Sequence, residues 1–309
     1  MAVKERVAVI GSGLIGRSWA CVFAAGGCDV ALYDEIADAT QAARVMVTED
    51  LQMMENHGLV NDAESAASRV RAAASLAEAL EGATYVQENA PERLEVKRAV
   101  FEELDRRSQR DVILASSTST IVASSFTETL AGRHRCLVAH PVNPPHLIPL
   151  VELVPAPWTS AETIARAKAL YKSVGQVAVV VKREIEGFIL NRLQAVLLSE
   201  AFRLVGDGYV TPQDLDRTLK DGLGLRWSFM GPFETIELNA PGGIPDYCRR
   251  YGASLSRLSN ADPALYEGEN LKRVLARWRP LNAAAIAARM RWRDHRLAAL
   301  KAHKREQSG

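Results

Sequence analysis

A β-branched run, RVAVI at residues 6–10, passes directly into Gly11-Ser12-Gly13-Leu14-Ile15-Gly16, and this junction restricts the fold more than any other stretch of the chain. A strand that turns straight into a helix needs one glycine at the tight turn, a second where another group approaches the backbone, and a third where helix and strand pack closely. The first turn of such a helix carries N–H groups that no helical carbonyl satisfies, which suits it to a phosphate. The next strand-like run, DVALYD, ends at Asp34, eighteen residues beyond Gly16 and near the offset at which an acid holds ribose hydroxyls. Gly11, Gly13, Leu14, Ile15, Gly16 and Asp34 are therefore expected to form a dinucleotide site. A carboxylate at 34 repels a 2′-phosphate, and Glu35-Ile36-Ala37 after it offers no arginine to receive one, so NAD is expected rather than NADP.

The same alternation continues along the chain. TYVQEN (84–89), DVILASS (111–117) and RCLVAH (135–140) read as strands, and the segment from Pro91 to Ser108 between them has helical spacing. Such a pattern predicts βαβ units around a parallel sheet. LVELV (150–154) and VAVVV (177–181) flank a further helix that ends at Gly175. Beyond residue 186 the character changes: GFILNRLQAVLLSEAFRLVGDG reads as one long helix, Thr211-Pro212 as the cap and first residue of another, and no strand follows. A chain of 309 residues also exceeds what one core usually supports. The expected architecture is α/β, an N-terminal Rossmann-type doubly wound sheet over 1–186 followed by an all-α C-terminal domain over 187–309.

Lys and Arg number 38 against 37 Asp and Glu, so no net field points to nucleic acid or an anionic membrane as partner. The C-terminal AAAIAARMRWRDHRLAALKAHKRE reads as a basic helix with a solvated or dimer-supporting face. The opening MAVKERVAVIGSG lacks the apolar length of a signal peptide, and no window approaches a membrane span. A cytoplasmic protein is expected. Cys21, Cys28, Cys136 and Cys248 show no paired short spacing and suit buried, reduced thiols.

Chemistry concentrates in CLVAHPVNPPHLIPLVELV, residues 136–154. His140 stands at the carboxyl end of a strand, where ligands bind in open α/β sheets, and Asn143 follows in a proline-rich turn. Glu152 lies in the next strand, where a carboxylate needs a partner to offset its desolvation. An imidazole that becomes positive during reaction is such a partner, so His140 and Glu152 read as a base and its orienting acid. His134, His140 and His146 are six apart and lack the spacing of metal ligands, so no metal is expected. ASSTST (115–120) clusters hydroxyls after another strand, and in EGFILNRL (186–193) Asn191 and Arg192 interrupt an apolar helix.

GxGxxG, SSTS, HPVNPP with LVELV, and GFILNRL, in this order, resemble the L-3-hydroxyacyl-CoA dehydrogenase family, and the likeness extends through GLGLRWSFMGPFET and YCRRY. The resemblance implies an NAD-dependent dehydrogenase with His140 as general base, Glu152 as its electrostatic partner, and Ser119, Asn143 and Asn191 around the substrate oxygen. It also implies Glu88 and Lys97 on the nicotinamide side of the cleft, and a homodimer formed through the helical domain.

Two departures from the family bear on the substrate. Fatty-acyl members are expected to carry a lysine-rich helical pair for the CoA nucleotide, whereas residues 41–73 here hold five acids, three arginines and no lysine, a poor surface for a phosphorylated adenosine. Before MGPFE stands Arg226-Trp227, and an arginine fork suits a small carboxylate. A β-hydroxy acid with a free carboxylate, such as L-gulonate, is expected ahead of an acyl-CoA. L-carnitine remains an alternative, with Trp227 and Phe229 available for its quaternary ammonium, and a non-catalytic NAD-binding protein is a third.

Overall fold

The structure, a computed structural model, describes residues 5–259 and 268–276 together with 281–282, 284–286, 288–289, 292 and 303. It divides into two compact units, Met1–Leu197 and Leu198–Gly309.

The first unit is built on one eight-stranded sheet. Its strands are β1 (Arg6–Ile10), β2 (Asp29–Tyr33), β3 (Val70–Ala72), β4 (Tyr85–Glu88), β5 (Ile113–Ser116), β6 (Cys136–Pro141), β7 (Leu150–Pro155) and β8 (Val177–Val180), in the order β3-β2-β1-β4-β5-β6-β7-β8. Strand order reverses between β1 and β4, which makes their carboxyl edge the switch point where an open α/β sheet takes its ligand.

Both faces of the sheet are covered, which explains why β1 reads as a continuous apolar run. Val7 and Val9 point to one face, packing with Trp19 and Phe23 of α1 (Leu14–Ala25), Leu51 of α2 (Ala37–Asn56) and Tyr171 of the helix Ala161–Ser173. Ala8 and Ile10 point to the other, with Phe101 and Leu104 of the helix Leu94–Arg107 and with Phe126.

Two strands depart from the plain βαβ pattern. β7 runs antiparallel to β6, because the 142–149 connection is a hairpin-length link and a parallel return needs a crossover of about a dozen residues. β3 was not anticipated: it has three residues, pairs with β2 alone and is too short for any alternation to show. The long helix expected from Gly187 begins only at Leu190, because Gly187 and Phe188 hold positive φ angles of 72° and 49°.

The helix Leu190–Gly206 runs across the division between the two units. In the second unit, the Thr211 hydroxyl accepts from the Asp214 amide and Pro212 opens the helix Pro212–Thr218, as its sequence predicts. A π-helical turn, Leu219–Leu223, leads into Gly224–Trp227, and the helices Pro232–Leu238, Gly243–Ser259 and Gly268–Leu275 follow. Met230, Leu238 and Ile286 form its small core, with Phe229 and Trp292 against them. The basic C-terminal segment lies for the most part outside the described residues. Among the described residues no helix is long and apolar enough to cross a membrane. Cys21, Cys28, Cys136 and Cys248 are buried thiols outside any disulfide.

Candidate active site

At the switch point the glycine turn meets the requirements of a dinucleotide site. Gly11 has φ +88°, and a Cβ there would sit 2.8 Å from the Asn89 carbonyl oxygen. A Cβ on Gly16 would fall 1.8 Å from the Gly11 carbonyl oxygen, so only glycine lets helix and turn pack this closely. At Gly13 nothing lies within 4 Å, which leaves room in front of α1. Its first turn carries no side-chain cap and no acid, so its amides are available to an anion. Leu14 is exposed and Ile15 half-buried against the core. The Asp34 carboxylate accepts from the Ser12 amide at 2.7 Å and the Ser12 hydroxyl at 3.0 Å, tying the turn to the end of β2. These residues fit NAD: the amides of the Gly13–Gly16 turn would hold the pyrophosphate and Asp34 the ribose.

Further along the same edge, β6 and β7 place His140 opposite Glu152 in register. Nδ1 of the imidazole lies 2.9 Å from Glu152 Oε2, and both residues are almost fully buried, at 4% and 2% exposure. Oε1 accepts from the Ile189 and Leu190 amides at 2.9 and 3.1 Å, at the start of the Leu190–Gly206 helix. Burial pushes the Glu152 carboxyl upward, but the hydrogen bonds from His140 and the two amides outweigh it and hold the group below the usual carboxylate range. Its contribution to stability is therefore present above the unfolded carboxylate pKa and is lost as pH falls through the lowered folded value. An ionised carboxylate only accepts, so Nδ1 must be the donor, and in the neutral imidazole Nε2 is then the atom with the lone pair.

The polar loop after β5 is organised by a residue that sequence reading did not single out. Glu92 Oε1 accepts from the Thr118 hydroxyl (2.6 Å), the Ser119 amide (2.9 Å) and the Thr120 amide and hydroxyl (3.0 and 3.1 Å). Burial raises its pKa, yet these bonds and the nearby Lys97 together lower it. In sequence Glu92 looks like an ordinary acid ahead of a helix; the available signal was a run of hydroxyls and amides in SSTST with no acceptor of its own. Asn191 donates from Nδ2 to the Ser119 carbonyl at 2.8 Å, so these two expected residues do come together. Asn143 stands exposed just beyond β6, three residues from His140.

Glu88 and Lys97 are turned on each other. Lys97 Nζ lies 2.8 Å from Glu88 Oε1 and also donates to the Ala90 carbonyl, while Ser116 donates to Glu88 Oε2. Exposures of 0% and 1% leave them beneath the edge rather than open at its surface. In the second unit Arg226 is half-buried, its carbonyl accepts from the Phe229 and Met230 amides, and its side chain has no hydrogen-bond or ion-pair partner among the described residues; Trp227 is 44% exposed.

A doubly wound sheet with an anion-ready glycine turn at its switch point, and a carboxylate-oriented imidazole on the same edge, defines an NAD-dependent oxidoreductase. Residues 6–185 match the NAD binding domain of 3-hydroxyacyl-CoA dehydrogenase and residues 187–274 its C-terminal domain. The chain belongs to the 3-hydroxyacyl-CoA dehydrogenase family. It is 45% identical over 306 residues to a lambda-crystallin homolog of Bos taurus, covering 96% of this chain and 95% of that one. It is 38% identical over 249 residues to an L-carnitine dehydrogenase of Pseudomonas putida, covering 80% and 77%. Among solved structures, a 3-hydroxyacyl-CoA dehydrogenase from Archaeoglobus fulgidus superposes with a TM-score of 0.76 at 27% identity, over 96% of this chain and 97% of that one.

Proposed function

We propose that the protein oxidises the β-hydroxyl of a small hydroxy acid bearing a free carboxylate, as an L-gulonate 3-dehydrogenase. The observation that carries the oxidation is the 2.9 Å contact between His140 Nδ1 and an ionised Glu152, which leaves Nε2 as the proton acceptor. In this reading Nε2 takes the hydroxyl proton, and the Glu152 charge stabilises the imidazolium that results. When bound, NAD supplies the hydride acceptor. Ser119, Asn143 and Asn191 bind the reacting oxygen, Glu92 and Asn191 hold the Ser119 loop in place, and the Glu88–Lys97 pair supports the edge from below.

Charge supports the choice of substrate. Of the three arginines in 41–73, Arg69 is engaged with Ser65 and the Ala24 carbonyl, and Arg71 with Glu78, which leaves Arg44 on α2 to face a nucleotide phosphate. Arg226, whose side chain has no partner among the described residues, is proposed to receive the substrate carboxylate. A second reading, L-carnitine, is favoured by the exposed Trp227 beside it, whose ring face suits a quaternary ammonium.

A panel of L-gulonate, L-3-hydroxybutyrate, L-carnitine and a 3-hydroxyacyl-CoA, each assayed with NAD, tests this reading. L-gulonate is expected to give the highest kcat/KM. Preference for the thioester would overturn the argument from 41–73, and NAD binding without turnover of any member would make the protein non-catalytic.

A homodimer is proposed with it. The Leu190–Gly206 helix buries none of its residues and exposes Leu193, Val196 and Leu197, which share one face at 65%, 72% and 39%, an apolar patch of the kind that marks an interface. Sedimentation equilibrium should give twice the chain mass at micromolar concentration, and monomer mass throughout would remove the proposal.

A further inference from the structure

We infer that Phe188 is a positioning residue that holds the His140–Glu152 pair in register, its ring against the imidazole and its backbone turning two amides onto the carboxylate. Its catalytic consequence rests on the reading of His140 as the base; the geometry does not.

Phe188 is fully buried, and at φ 49° it is the one residue other than glycine with positive φ among the described residues. An L side chain is strained there, and glycine would adopt this backbone freely. The ring's contacts must therefore outweigh the strain. Its centroid lies 5.2 Å from that of the His140 ring, with the planes at 53°, and it packs in the same core as Val138, Val154 and Val181.

The backbone acts on the other partner. The Phe188 amide donates to the Ile185 carbonyl at 3.0 Å and closes the turn. The left-handed step then sends the next two amides, Ile189 and Leu190, to Glu152 Oε1. Glu152 uses Oε1 on this turn and Oε2 on Nδ1, while the imidazole has Glu152 at one edge and Phe188 beside the ring. With the ring removed, the imidazole loses the ring contact that flanks it, and water gains access to the Nδ1 proton.

Two readouts on the full chain test this. The first needs no substrate: the proton NMR signal of the Nδ1–H shared with Glu152, identified by its loss in His140→Gln, should be sharp in the native protein. In Phe188→Gly, which keeps the turn and loses the ring, it should broaden or vanish through exchange with water. Phe126→Leu, which alters another buried aromatic contact, should leave it unchanged. The second uses the panel member turned over fastest: kcat of Phe188→Gly should fall about ten- to a hundredfold, as for a small misplacement of the reacting groups, with KM for NAD nearly constant.

An unchanged signal and kcat in folded Phe188→Gly would overturn the inference while leaving the proposed function standing. Full activity in His140→Gln would instead overturn the proposed base, and the NMR comparison of wild type with the Phe188 variants would still decide the role of Phe188. If the glycine variant does not fold, Phe188→Leu carries the same readouts. Failure of both to fold would assign Phe188 to the core alone and overturn the inference.

Discussion

His140→Gln lowers kcat by about 10²- to 10⁴-fold, the range for removal of a general base, with folding and NAD binding preserved. Glutamine is the informative replacement because Glu152 is almost fully buried and needs a donor at Oε2. The glutamine amide can supply that donor, whereas alanine would leave a desolvated carboxylate short of a hydrogen bond and confuse a catalytic loss with a structural one. The amides of Ile189 and Leu190 remain on Oε1 in either variant. The glycine turn that would bind the dinucleotide lies after β1, on a separate strand, so cofactor affinity should be unaffected. Steady-state kinetics with the best substrate of the panel, alongside an NADH fluorescence titration, checks this. Retention of more than about a tenth of wild-type kcat would show that another group takes the proton.

The second large effect concerns stability. Lys97→Met should lower the free energy of unfolding of the first unit by about 3–5 kcal/mol, the usual consequence of removing one partner from a buried ion pair. Glu88 has no exposed surface, and without Lys97 Nζ it keeps only the Ser116 hydroxyl and the Ala90 amide as donors. Lys97 also holds the Ala90 carbonyl, so the same substitution frees an acceptor beside the turn that leads to Glu92. Adding Glu88→Gln to Lys97→Met should recover much of the loss, since the neutral side chain no longer needs a counter-charge. Urea denaturation of the two single variants and the double variant measures the coupling between the partners. A loss below about 1 kcal/mol in Lys97→Met would mean that the pair is hydrated rather than buried.

The glycine turn, the acid at the end of β2, and the order of strands and helices follow from local chemistry, so they can be read residue by residue. A tight turn admits no Cβ, a strand covered on both faces reads as a short β-branched apolar run, and a helix with two glycine-terminated ends announces both. His140 and Glu152 were legible for a related reason. Two neighbouring strands carry them, and a polar group in an apolar strand has to be answered by another.

What the sequence could not disclose depends on contacts between residues far apart in the chain. Glu92 gathers donors from 118–120 only because β4 and β5 end side by side, and Glu88 and Lys97 close on each other only once a helix folds back over β4. Strand β3 is held by pairing with β2 rather than by its own three residues, and the direction of β7 is set by the short link that precedes it. Nor does any propensity place a phenylalanine in a left-handed backbone; that conformation persists because burial of its ring beside His140 offsets the strain, a balance that exists only in the packed molecule.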